Sequence, residues 1–482
     1  MRSKNNKPYR TTALTVAGGV LITMASAALA QPDSEASQQV GLSQAYRLAL
    51  ESMPTVEEQR ARVDAASARL RQAKGRRLPE LRADANYTAS EYETTSTAID
   101  PVTRQPRRTT ETTDEESYRY GLNLIQPLYD RRVSTGIAEA RERTELASAE
   151  LDTTRQRLAG QVAEAYLRIL RARDALDLAE AEALAYQLRV EQMQRRLESG
   201  LSSRIDVLDA QVRRDEARSQ IAQTENQLEL ARLELERLTG RRIENLRGAD
   251  PRQVVLADPP SAAKIEQLQE SAGRENPGVR VAMAEVALAN RTTETRQAAF
   301  FPTLTAQARY SETDASDQVV QGEDRRVYLA LEVPLYSGGQ RSAGVDEARA
   351  RERAARARMA ERRRQAVIDT RTVSNDLRSA VRRVETSRQA LSTAEAQLNA
   401  VERGLEAGVR DLVEVLDSRA RLFRIRGDLS RATYDYLINQ VRLDTLTGRF
   451  NPEKLEALDD QYLQQPVDLS DGHSRRQGDA GG

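Results

Sequence analysis

The residues best placed to do chemistry are carboxylates set three apart. Asp206 and Asp209 form one pair, and Glu414 and Asp417 form another. On a helix this spacing puts both groups on one face. Gathered around an axis in several copies and facing a lumen, such pairs form acidic rings that attract cations and repel anions; taken in isolation, a carboxylate pair is more commonly a solvated outer face. Little else suggests catalysis. The chain has no cysteine and a single histidine, His473, in a polar stretch, so thiolate nucleophiles, disulfides and His-based triads or metal clusters have no side chains to draw on. No nucleophile, base and orienter converge anywhere. We therefore assign no catalytic, cofactor-binding or metal residue and expect a protein that is not an enzyme.

Lys+Arg and Asp+Glu both number 73, so no net charge pulls the chain toward nucleic acid. Arg362-Arg363-Arg364 reads as a wet helix face and Arg107-Arg108 as an external loop, since acidic residues surround both and no aromatic platform accompanies them. Arg325-Arg326 beside Glu323-Asp324 likewise reads as loop chemistry. Gly338-Gly339 and Gly344 lack the Gly-Lys-Ser/Thr of a phosphate-cradling loop and read as a strand-to-helix turn.

The elements that must position the carboxylates are written twice. Leu197-Glu198-Ser199-Gly200-Leu201 recurs as Leu405-Glu406-Ala407-Gly408-Val409, and Asp206-Val207-Leu208-Asp209 as Glu414-Val415-Leu416-Asp417, both 208 residues on. Leu238-Thr239-Gly240-Arg241 recurs at Leu446 with the same offset, and the alternating run from Pro79 to Tyr87 recurs from Pro302 to Tyr310. Two tandem structural repeats follow, 31–240 and 265–449, with a linker at 241–264 and a polar C-terminal tail at 450–482 expected to be disordered at its end. Residues 1–30 read as a signal peptide: Arg2, Lys4, Lys7 and Arg10 precede a short apolar run and Ala28-Leu29-Ala30. Cleavage after Ala30 is the expectation, an uncleaved anchor the alternative.

Within each repeat the hydrophobic period switches. Residues 81–92, 118–128, 303–312 and 326–335 alternate apolar and polar, as strands do, and are as long as a tilted membrane-spanning strand. Polar loops are expected at 94–116 and 313–325. Eight of the 15 tyrosines fall in or beside these strands, as an interfacial aromatic girdle requires. After each strand pair a 3-4 spacing takes over. It runs through Ile169, Ala172, Leu176, Ala179, Ala183, Tyr186, Val190, Met193 and Leu197, and again from Leu377 to Leu405. This predicts long helices with a left-handed coiled-coil seam, the first over about 137–199. Gly200 and Gly408 end them, and the chain turns back into a second helix.

Four strands cannot close a barrel, and open edges are not tolerated in hydrocarbon. Several chains must each contribute four, giving twelve strands from three copies or sixteen from four. The competing reading is a secreted coiled-coil scaffold or adhesin with two soluble hairpins and no pore.

The chain closely resembles the TolC-type outer-membrane efflux and secretion channels over residues 41–449. The resemblance is carried by Pro334-Leu335-Tyr336-Ser337-Gly338-Gly339-Gln340, by the turn from Glu406 to Asp417, by Tyr434-Asp435-Tyr436-Leu437-Ile438-Asn439-Gln440, and by the duplication itself. It implies a mainly α protein with membrane β-barrel strands: a homotrimer with a shared 12-stranded β-barrel, an α-helical barrel, and a mixed α/β belt to which 241–264 and the tail belong. It implies a passive conduit from periplasm to exterior within outer-membrane lipid, with a periplasmic adaptor and an inner-membrane ABC or proton-driven transporter docking at the closed helical end. Arg410 and Asp206 match the residues that hold that entrance shut, and Leu405 stands where some members have a Tyr in the closing network. Glu414 and Asp417, with Asp209, match an acidic entrance ring. The turns Gly200-Leu201 and Gly408-Val409 match the tip where the adaptor docks. The cargo stays open, and the absence of cysteine excludes a lipidated N-terminus.

Overall fold

The computed structural model describes residues 39–99, 101, 104–315 and 322–469. The expected signal peptide and His473 lie outside the described residues. In chain order the elements are α1 (Leu42–Ser52), α2 (Pro54–Gly75), β1 (Glu80–Ile99), β2 (Pro106–Asp130), α3 (Arg131–Glu198), α4 (Arg204–Thr239), β3 (Asn245–Gly248), α5 (Ala262–Glu275), α6 (Pro277–Ala298), β4 (Thr303–Ala315), β5 (Gly322–Glu332), α7 (Gln340–Glu406), α8 (Leu412–Leu446), α9 (Pro452–Tyr462) and β6 (Gln465–Asp468). Short helix pair, strand, strand, long helix, shorter helix: the sequence α1-α2-β1-β2-α3-α4 is repeated by α5-α6-β4-β5-α7-α8.

The long helices follow from composition and end signals. α3 has 68 residues and α7 has 67, on the order of 100 Å each at the helical rise. Asp130 opens α3 by accepting a hydrogen bond from the Arg132 N–H at 2.8 Å, as an N-cap does. This start is several residues earlier than the apolar pattern indicates, because the first turns of α3 are set by the cap. Along α3 the seam residues Ile169, Ala172, Leu176, Ala179, Ala183, Tyr186, Val190 and Met193 are buried, while Leu197 at the tip is exposed. In α7 Leu377, Ala380, Val384, Leu391 and Ala394 are buried, and Ser387, Leu398, Val401 and Leu405 are only partly covered. Both seams therefore loosen toward the hairpin turns. Alanines recur among larger Leu, Ile, Val, Tyr and Met along both seams, the mix of small and large side chains by which packed helices interdigitate.

The four long strands form one antiparallel sheet in the order β1-β2-β4-β5. The two repeats are thus stitched by the β2–β4 pair, and β1 and β5 are left as open edges. One face carries the row Leu81, Leu124, Ala308, Val327 and, two residues along, Ala83, Leu122 and Tyr310, the last with Arg325 beside it and its guanidinium over the ring. Val327 is 84% exposed and Leu329 67% exposed, a contiguous apolar face that water alone would not tolerate. Tyr87 and Tyr118 stand side by side at its upper margin, ring centroids 4.9 Å apart.

The strands run past the alternating stretches, which corrects the expected loops at 94–116 and 313–325. β1 and β2 stay in register from Glu80↔Ile125 out to Ile99↔Pro106, so Arg107-Arg108 lie in a strand, as do Glu323, Asp324, Arg325 and Arg326. Alternation reports burial on one face. A hairpin that leaves the apolar band has water on both faces and loses the signal, yet its threonines keep strand propensity, with Thr95 and Thr110 hydroxyls 3.3 Å apart across the ladder. Conversely β5 ends at Glu332, short of the expected 335, because Pro334 cannot donate to a ladder.

The expected disorder at the tail's end lies outside the described residues, and the stretch before it is built into the fold. Residues 452–462 are helical and 465–468 pair antiparallel with β3, while Phe450, Leu455, Tyr462, Leu463 and Leu469 are buried in the main core. The buried Asp459 carboxylate accepts from the N–H groups of Leu42 and Ser43 at 2.7 and 2.8 Å, capping α1 from the far end of the chain. Its approach requires Gly41, where a Cβ would lie 2.9 Å from Asp459 Oδ2. Tyr166 donates to the Arg247 carbonyl at 2.7 Å and accepts from the Arg247 N–H at 2.9 Å, tying α3 to β3. Five apolar residues scattered among Asp, Glu and Gln show no period long enough to be read in sequence. No helix among the described residues is long and apolar enough to cross a membrane.

Candidate functional site

The two hairpin turns are built alike. Gly200 and Gly408 both adopt φ of 73°, and each is followed by a residue whose N–H reaches back to close the helix: Leu201 to the Arg196 carbonyl at 2.8 Å, Val409 to the Gly404 carbonyl at 2.9 Å. These are glycine-terminated ends of the Schellman type. Nothing would touch a Cβ at either glycine, so the left-handed backbone alone demands glycine there. Leu201 and Val409 are 69% and 76% exposed, and with Ile205 and Val413 they make the tip apolar and bare.

The helices that restart after the turns hold the predicted carboxylates. Asp206 completes a capping box with Ser203: its N–H donates to the Ser203 hydroxyl at 3.2 Å, while its carboxylate accepts from the Ser203 N–H at 2.8 Å and the Ser202 hydroxyl at 2.9 Å. The Ser203 N–H, and then the two serine hydroxyls, hold this carboxyl below the usual range. Asp411 caps the second helix through the Glu414 N–H at 2.8 Å. Arg410 reaches forward to Glu414, Nη1 to Oε2 at 2.9 Å. Within the chain, then, Asp206 and Arg410 each have a local partner and are not brought together. Asp209 is exposed, and Leu405 is half-buried at the end of α7.

Three features of the site were not legible in the spacing. The first is Arg213, which donates from α4 to Asp417 on α8 at 3.1 Å and so joins the two hairpins beside the acidic pairs. Such a contact links residues 204 apart and has no local signature. The second is Gly404. A Cβ there would lie 2.5 Å from Arg410 Cγ, so the arginine stem folds over a bare helix position; a lone glycine inside a helix, costing about 1 kcal/mol against alanine, was its only trace. The third is a cationic cluster. Burial, and then the neighbouring charges of Arg419 and Arg196, push Arg189 down to about 10, while Arg419 pairs with Glu402 at 2.6 Å.

Beneath the charges an apolar plug holds the hairpins side by side. Tyr186, Val190 and Met193 of α3, Val207 and Ala210 of α4, and Leu412 and Leu416 of α8 form one buried cluster separate from the main core. Further up, α3 and α8 share a polar contact: the Ser430 hydroxyl donates to Asp174 at 3.0 Å, and burial pushes the Asp174 carboxyl up to about 6 against the opposing effect of Ser430 and Tyr434. The arrangement offers breakable ion pairs and an acidic surface at the hairpin turns.

The sequence profile of the outer membrane efflux protein family matches residues 45–241 and 268–449. The chain is 27% identical over 418 residues to the outer membrane protein TolC of Vibrio cholerae serotype O1, covering 86% of this chain and 91% of that protein. It is 28% identical over 426 residues to the alkaline protease secretion protein AprF of Pseudomonas aeruginosa, covering 86% of each. Among solved structures, that of CusC aligns with a TM-score of 0.71 at 19% identity over 86% of this chain and 95% of its own, a likeness of fold.

Proposed function

Because the chain belongs to the outer membrane efflux protein family, we propose that it is the passive outer-membrane conduit of a tripartite efflux or type I secretion system, gated at the helical hairpin turns. It is an outer-membrane protein with a TolC-like fold. The observation that carries the assembly is the sheet: four strands with two open edges and one exposed apolar face. Unpaired backbone groups cost several kcal/mol each in hydrocarbon, so β1 of one copy must pair with β5 of the next. Three copies close a 12-stranded barrel, and the same symmetry closes α3, α4, α7 and α8 into a helical cylinder. The duct itself does no chemistry.

In this assembly Arg410 and Asp206 exchange their local partners for contacts between neighbouring hairpins and, with Leu405, form the periplasmic gate. Glu414, Asp417 and Asp209 make the acidic entrance ring. The apolar tips at Gly200-Leu201 and Gly408-Val409 dock a periplasmic adaptor, which couples the duct to an inner-membrane ABC or proton-driven transporter. The test is current through a planar bilayer after adding the purified protein in detergent, under a salt gradient. Small, long-lived, cation-preferring steps are expected. A protein that stays soluble without detergent and gives no steps would refute the reading and favour a coiled-coil scaffold.

A further inference from the structure

On the face of the sheet opposite Leu81, Leu124, Ala308 and Val327, one cross-strand row reads Arg82, Asn123, Arg309, Arg326. Adjacent strands lie about 4.8 Å apart, so three guanidinium groups and an amide share a band only a few strands wide. Arg82 leans toward Glu80 on its own strand at 2.6 Å, and Arg326 toward Asp324 at 2.9 Å. Arg309 is exposed and has no carboxylate partner among the described residues. The row above it contains Asp84 and Asp324 with Gly121 between them, and the Asp84 carboxylate occupies the space over that glycine, where a Cβ would lie 2.8 Å from its oxygen. Three positive charges of this face therefore share one level, with carboxylates on the levels to either side drawn to the outer two, and Arg309 between them is the one left facing no carboxylate among the described residues.

We propose that this row is an anion-binding site in the barrel lumen, near its helical end, taking phosphate- or carboxylate-bearing solutes as they pass. The inference rests on the conduit reading, which turns the apolar face to lipid and this face to water. A guanidinium presents a planar fork of donors that fits two oxygens of a carboxylate or phosphate, and the one pair of fork positions engaged on Arg82 or Arg326 leaves further N–H groups free. Three chains bring nine guanidiniums to the barrel. Because the row runs perpendicular to strands that themselves tilt, they form three oblique rows rather than a flat ring. The acidic entrance lies at the hairpin turns and this row near the helical end of the barrel, three residues into β1, so an anionic solute that has passed the gate meets attraction only beyond it.

The probe is inorganic tripolyphosphate, added to the strand side of the full-length channel in a planar bilayer. The wild type is expected to show a concentration-dependent, voltage-dependent fall in current. The variant carrying Arg82→Gln, Arg309→Gln and Arg326→Gln should need roughly tenfold more for half-block, one charge-assisted contact being worth about that factor, whereas Arg107→Gln with Arg108→Gln in the outer hairpin should leave the half-block concentration unchanged. Arg309→Gln alone, which breaks no ion pair, should shift it by roughly threefold and decides the matter if the triple variant fails to assemble into a heat-resistant oligomer. A wild type indifferent to tripolyphosphate, or a variant blocked at the same concentration, overturns the proposal. Absence of current steps from every protein refutes the conduit reading and takes this inference with it.

Discussion

Arg213 and Asp417 offer the sharpest handle on the gate, because the two partners have opposite effects on one property and the same effect on another. The pair spans α4 and α8 at 3.1 Å, with side chains 42% and 56% exposed. Surface ion pairs of this exposure contribute about 0–1 kcal/mol. Taking about 0.5 kcal/mol per copy, three copies acting on one concerted gate would bias it by about 1.5 kcal/mol, which is roughly tenfold in the closed-to-open ratio. Both Arg213→Gln and Asp417→Asn should therefore raise single-channel open probability by up to about that factor in planar bilayers. Selectivity should divide them. Arg213→Gln releases the Asp417 carboxylate from its counter-charge and should strengthen cation preference, while Asp417→Asn removes a ring charge and should weaken it. High salt should shrink the open-probability effect, since exposed pairs are screened. The double variant should open no more readily than either single one. Unchanged open probability in both variants, or reversal potentials that move the same way, would refute the view that this pair clasps the hairpins beside an acidic ring.

Arg410→Ala and Asp206→Ala should each raise conductance, and Gly404→Ala should mimic the former by displacing the arginine stem; conductance unchanged in all three removes these residues from the gate. Asp206→Ala also loses the capping box, so an accompanying drop in stability of about 1 kcal/mol is expected in thermal unfolding. Asp174→Asn tests the α3–α8 contact through pH. Its folded-state pKa is raised, to about 6 from 3.8, so ionisation penalises the fold fully above about pH 6 and not at all below about pH 4. The variant should be the more stable protein at pH 7.5, by about 1–3 kcal/mol, with the gap in melting temperature closing as pH falls toward 4; a gap independent of pH would show that Asp174 is not the titrating group. Asp459→Ala leaves two α1 N–H groups without their acceptor and should cost about 1–3 kcal/mol, read as a lower temperature for loss of the oligomer in detergent gels. No change there would mean the tail does not hold α1 in place.

The duplication, the switch from period two to 3-4 spacing, and the glycines that end the long helices are local patterns, and each was legible. The seam from Ile169 to Met193 was readable because every third or fourth residue faces the same partner for the whole length of α3. Outer strand segments beyond Tyr92 were not, because they have no buried face to impose alternation. Nor was the order of the tail, whose buried residues each meet a different element: Tyr462 the Val255 carbonyl at 3.2 Å, Asp459 the start of α1.

What the sequence determined by itself was therefore everything that depends on near neighbours along the chain: repeats, helix lengths, turn positions and the alternating faces of the strands that a membrane requires. Only the tertiary structure decided which distant residues meet. It set β2 against β4 to join the repeats, laid Asp417 against Arg213, folded Arg410 over Gly404, and lined up Arg82, Arg309 and Arg326 from three strands in one row. The physical reason is that period reports the face a residue presents, whereas register and packing between segments hundreds of residues apart are settled by the summed contacts of whole elements, to which any single side chain contributes too little to leave a mark in its own surroundings.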